Sequence, residues 1–121
     1  MGVDAVKIAA HDFASRFFHK IPRTEVPHRN DLLYGPEGSP FARYLKGVGE
    51  VMENVRDAVQ GCMDEGDYPL VLAGDHSTAA GTLAGIRKAR PGQRLGVIWI
   101  DAHADLHSPW TTPSGNLHGM S

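Results

Sequence analysis

A chain of 121 residues could be one domain and could bury a modest core. Twelve basic and 14 acidic residues leave a formal charge of −2, so there is no electrostatic case for nucleic acid or an anionic membrane, and no apolar run reaches spanning length. Cys62 is the one cysteine, which excludes an intrachain disulfide and makes a reducing cytoplasm the expected location.

The first residues carry no basic start with an apolar core, so a signal peptide is not expected. Asp4 is placed to cap a helix in which Val6, Ala9, Ala10, Phe13 and Phe17 recur at helical spacing, with His11 and His19 flanking the stripe. Pro22 and Pro27 open an irregular stretch that runs to Pro40, rich in turn residues, where His28 is expected in solvent. Over residues 41 to about 65, Leu45, Val48, Met52, Val55, Val59 and Cys62 follow the three-and-four spacing of an amphipathic helix.

Leu70, Val71, Leu72 and Ala73 form a short apolar run that reads as a buried strand, followed by the turn Gly74-Asp75-His76-Ser77. Residues 77–89 then carry Ala, Leu and Ile, with Arg87 and Lys88 near the end, as a helix C-terminus favours. Pro91-Gly92 breaks that helix, and Val97, Ile98, Trp99 and Ile100 form a second apolar run, of the kind parallel strands carry when both faces are covered. Strand, helix, strand in this order predicts a right-handed βαβ unit, with function at the C-terminal strand ends.

At that end stand Asp101, Ala102, His103, Ala104 and Asp105. Alternation would put the three ligand-type side chains on one face. A fully extended backbone would separate Asp101 from Asp105 by about 13 Å. Metal–ligand bonds are roughly 2.0–2.2 Å, so either the backbone curls or the ligands serve two ions. Paired ions sit roughly 3.5–4 Å apart, within reach of one bridging carboxylate, and Asp101 is the bridging candidate. A Gly74 turn before a helix could instead cradle phosphate, but neither G-x-G-x-x-G nor G-x-x-x-x-G-K-[ST] is present.

Gly74-Asp75-His76-Ser77, Asp101-Ala102-His103-Ala104-Asp105 and Ser114-Gly115-Asn116-Leu117-His118-Gly119 together resemble the arginase (ureohydrolase) family in order and spacing, most clearly from Tyr68 onward. The resemblance implies a three-layer parallel-sheet α/β fold, here partial and truncated after the first metal-ligand strands. Residues 1–121 would then be a single incomplete domain, with 1–67 a helical and loop region and 68–121 the βαβ unit with its metal and substrate loops. It further implies two divalent metal ions, manganese by family default. His76 and Asp105 would hold one ion, His103 the other, and Asp101 both. Ser114 and Asn116 would hold the α-carboxylate of an amino-acid substrate, and His118, together with Asp105, would serve catalysis, His118 by shuttling protons.

The residue types agree with that chemistry. A guanidinium carbon is a poor electrophile, and a hydroxide bridging two metals is a nucleophile strong enough to attack it at neutral pH. The expected reaction is hydrolysis of a guanidino amino acid, L-arginine to L-ornithine and urea, with agmatine or another guanidino compound as the competing substrate. Two divalent ions bring four positive charges, against two negative ones from Asp101 and Asp105. The family supplies further carboxylates from a later D-x-D motif, so the chain reads as a fragment that is inactive alone. A noncatalytic metal-binding or assembly module is the reading from another class. The complete protein is expected to be a homo-oligomer, acting on a small guanidino substrate without nucleic-acid or membrane partners.

Two positions depart from the family pattern. Ala73 stands where glycine is common, and His107 stands where many members carry an asparagine that contacts the substrate carboxylate. His107 can still donate a hydrogen bond there and carry charge near neutrality.

Overall fold

The computed structural model describes residues 22–121; the helix expected behind Asp4, with His11 and His19, lies outside them. A 3-10 turn at Asn30–Tyr34 leads into a two-residue antiparallel hairpin, β1 (Gly38–Ser39) and β2 (Ala42–Arg43), in the register Gly38 to Arg43 and Ser39 to Ala42. Two helices follow, α1 (Leu45–Asp64) and α2 (Thr78–Ala89), and a second 3-10 turn at Leu117–Met120 ends the fold.

α1 starts four residues later than its apolar spacing predicts, because Phe41 is taken into the hairpin turn and Tyr44, with φ of 54°, sets the chain direction before the helix. At the other end Gly66 N–H donates to Met63 O and Asp67 N–H to Cys62 O, the paired closure of a Schellman motif. Asp64, Glu65 and Asp67 face solvent, as does His28, in line with their expected exposure.

α1 buries Val55 and Val59 against α2, each worth about 1.5–3 kcal/mol relative to an exposed position. Close approach is possible because α2 offers Gly81 and Gly85, one helical turn apart. A Cβ on Gly81 would lie 2.5 Å from Met52 O, and one on Gly85 2.6 Å from Arg56 O. The periodic apolar face of α1 therefore packs on the glycine face of α2, and Lys88 reaches across to Asp57 at 3.2 Å.

The expected parallel strands do not form among the described residues. The runs at 70–73 and 97–100 have no ladder bonds, and Leu70, Ile98 and Ile100 are 82%, 90% and 92% exposed. A strand buried on both faces needs a covering layer on each and a neighbour about 4.8 Å away. Here the two helices pack on each other and the runs gain neither. The helix of the βαβ unit is present, and its flanking segments still deliver their C-terminal residues to one place. No helix among the described residues is long and apolar enough to cross a membrane.

Candidate metal centre

The turn after residue 73 is built by Asp75. Its Oδ1 accepts the Ser77 N–H at 2.9 Å, and its carbonyl accepts Thr78 Oγ1 at 2.9 Å, which starts α2 and fixes His76 beside the helix end. Trp99 meets the His76 ring edge-on, with centroids 5.8 Å apart. The first apolar run thus contributes a histidine and the second an aromatic wall.

After Ile100 the backbone curls. His103 N–H donates to Asp101 Oδ1 at 2.9 Å, and Asp105 adopts a left-handed φ of 51°. Of the two possibilities left by the 13 Å span of an extended chain, the backbone takes the curl. One ligand atom from each of His76, Asp101 and Asp105 falls within 4.8 Å of the others.

His76 Nδ1 lies 3.4 Å from Asp101 Oδ2, and Nε2 lies 3.2 Å from Asp105 Oδ2. Nε2 also meets the His118 carbonyl in a short hydrogen bond. With that N–H donated to the carbonyl, Nδ1 keeps its lone pair for a cation. The same bond leaves Asp105 Oδ2 buried with no hydrogen-bond partner. An orphaned buried carboxylate oxygen is costly unless a cation meets it. The donor set is imidazole and carboxylate with no thiolate, which suits manganese, cobalt, nickel or zinc. These residues fit a divalent ion.

His103 stands apart from the group of three, with its side chain 80% exposed, but its Nδ1 is 3.4 Å from Asp101 Oδ1. Asp101 therefore faces His76 with one oxygen and His103 with the other. The His103 backbone hydrogen bond leads in holding the Asp101 carboxyl below its ordinary range, against some desolvation, and the two imidazoles add to the effect.

The ligands border a cleft of 560 Å³ whose walls include His76, His103, Asp105, His107 and His118. Its far wall is held by a backbone and a side-chain bond: His107 N–H donates to Gly119 O at 3.0 Å, and Ser121 Oγ donates to His118 O at 3.3 Å. His107 Nδ1 is 3.4 Å from Thr111 Oγ1. Ser114 and Asn116 are not on the cleft wall; Ser114 Oγ instead accepts the Asn116 N–H at 3.2 Å. Gly115 between them has φ of 74° and packs so close to the hairpin that a Cβ would lie 2.0 Å from Pro40 O. It anchors the loop through Arg43 N–H to Gly115 O, 2.8 Å.

Asp75 is the site residue that sequence reasoning passed over. Its Oδ2 lies 3.5 Å from His118 Nδ1. Partial burial pushes its carboxyl upward, but the Ser77 hydrogen bonds, aided by His118, outweigh this and hold it below its ordinary value. The local signal was an acid two residues ahead of a serine at a helix start. Nothing local marks its second partner, 43 residues away.

Residues 8–121 match the arginase family. The chain belongs to that family. The arginase of Bacillus caldovelox is 51% identical over 84 residues, covering 69% of this chain and 27% of that protein. Human arginase-1 is 44% identical over 100 residues, covering 79% and 30%. Among solved structures, the arginase of Bacillus subtilis superposes with a TM-score of 0.79 at 35% identity, over 97% of this chain and 37% of that one. The Bacillus caldovelox arginase gives 0.65 at 46% identity, over 84% and 31%. The chain thus shares the α/β arginase fold in partial form, spanning between 27% and 37% of the length of these relatives.

Proposed function

We propose that this chain contributes the metal and substrate loops of an enzyme that hydrolyses a guanidino amino acid, L-arginine to L-ornithine and urea. The observation that carries the reading is the convergence of His76, Asp101 and Asp105 on one point, with an unsatisfied buried oxygen on Asp105. The 41–51% identity of curated arginases over the matched segments supports the substrate class.

In this reading His76 and Asp105 hold one divalent ion, His103 a second, and Asp101 stands between them, with manganese as the metal. When bound, such ions would lower the pKa of water and so supply a nucleophile near neutral pH. Attack of water oxygen on the guanidinium carbon forms one C–O bond, and the bond from that carbon to the chain nitrogen breaks. Both protons of the water pass to the departing nitrogen, which leaves as the ammonium group of the product, and His118, on the cleft wall, carries one of them. Asp105 accepts a hydrogen bond from the attacking water. Ser114, Asn116 and His107 orient the substrate carboxylate.

The test is urea release by the full-length protein at saturating manganese, with L-arginine and with agmatine, which lacks the carboxylate. Arginine turnover that falls in Ser114→Ala or Asn116→Ala, with agmatine use unchanged, is the expected result. Preference for agmatine in the parent would reassign the substrate. No urea from any guanidino compound would leave a noncatalytic metal-binding module.

A further inference from the structure

His118 is fixed through its backbone, and its ring is oriented by something else. Its carbonyl takes the His76 Nε2 bond and the Ser121 hydroxyl, and the adjoining Gly119 carbonyl takes the His107 N–H. These contacts locate the turn and leave the imidazole free to rotate. The ring sits edge-on to His76, with centroids 6.0 Å apart, and turns Nδ1 to Asp75 Oδ2 at 3.5 Å.

We infer that Asp75 is a positioning residue for His118: its carboxylate holds the imidazole in the Nδ1–H tautomer, so that Nε2 keeps a lone pair on the cleft side. The inference rests on the proton-shuttle role given to His118 in the proposed reaction. An isolated imidazole prefers no fixed tautomer strongly, and the partner of one ring nitrogen decides which nitrogen is left as base. A carboxylate accepts only, so it selects the N–H form of the nitrogen it faces. Asp75 has a separate reason to be an acid or amide, because Oδ1 caps the Ser77 N–H. The two roles fall on different oxygens and can be separated.

Asp75→Asn performs the separation. Its amide oxygen keeps the Ser77 bond, while its NH₂ would offer a donor to Nδ1 and so favour the opposite, Nε2–H tautomer. The same exchange at a catalytic Asp–His pair leaves geometry intact and lowers turnover through the wrong tautomer. Asp75→Ala removes both roles and reports the cost of the cap alone when set against Asp75→Asn.

Two measurements on the full-length protein decide it. The first is the ¹⁵N spectrum of histidine-labelled protein loaded with zinc, a diamagnetic divalent ion, with His118→Gln providing the assignment. The parent should show Nδ1 protonated and Nε2 bare, and Asp75→Asn should exchange the two. An unchanged tautomer in Asp75→Asn overturns the inference whether or not the protein hydrolyses arginine. The second is steady-state turnover. Asp75→Asn should lower kcat about 10²-fold or more, with KM and metal content unchanged, and the double variant Asp75→Asn/His118→Asn should be no slower than His118→Asn. A further independent loss in the double variant, or a fall in metal content matching that of Asp75→Ala, would make Asp75 merely a support for the helix start. Absence of urea release from the parent would sink the proposed reaction and leave the tautomer result standing on its own.

Discussion

The helix pair and the ligand loops of this chain treat charge in opposite ways. Between α1 and α2 Asp57 is neutralised locally: Arg56 and Lys88 both reach it, at 2.8 and 3.2 Å. In the loops the ion partners of Asp101 and Asp105 among the described residues are histidines, which carry charge only when protonated. The helices close by packing Val55 and Val59 over Gly81 and Gly85, whereas the loops are held by turn hydrogen bonds. A region that satisfies its own charges is a scaffold. One that gathers carboxylates and leaves an oxygen unbonded is prepared for a cation from outside.

Changes in the two regions should therefore separate chemistry from stability. The largest effect is expected from Asp105→Ala, which removes the orphaned oxygen together with its partner. Urea release should disappear and manganese affinity should collapse in titration calorimetry, while the helical circular dichroism stays at its parent level. His118→Asn comes next, with kcat lowered about 10²–10⁴-fold and metal content by elemental analysis unchanged. Equal loss of metal would move His118 into the coordination shell.

On the scaffold side, Gly85→Val forces a side chain against Arg56 O and the Val59 side chain. Overpacking of this kind typically costs about 1–3 kcal/mol, read as a lower denaturation midpoint with metal affinity retained. The smallest effect belongs to Asp57→Asn. Hydrogen bonds from Arg56, then Lys88, hold the Asp57 carboxyl at about 2, below its ordinary 3.8. Because the folded value is the lower one, the contribution is complete above about pH 4 and fades as pH falls through that interval toward 2. The variant should be slightly less stable than the parent near neutrality, and the gap should close across that window in a series of urea denaturations.

The same contrast governs what could be read in the residues. Helices announce themselves locally, so the spacing of Leu45 through Cys62 and the Arg87-Lys88 ending predicted α1 and α2 within a few residues. The apolar runs at 70–73 and 97–100 predicted strands, but a strand exists only through its ladder partner, and none is paired with them among the described residues. Membership of the family was legible in three short motifs, and the fold class with it. The length of an extended Asp101–Asp105 segment left a curl as one of two alternatives, and the left-handed φ of Asp105 was not foreseeable for a non-glycine residue. Asp75 escaped notice because its contact with His118 joins two turns through tertiary structure alone.

The shared position of Asp101, one oxygen toward His76 and the other toward His103, is the centre of this account. Metal stoichiometry of the full-length protein and of Asp101→Asn, measured after manganese loading and gel filtration, tests it most directly. Two ions per chain in the parent and fewer than one in the variant is the predicted result. A parent that retains no manganese, or a variant that still holds two ions, would contradict it.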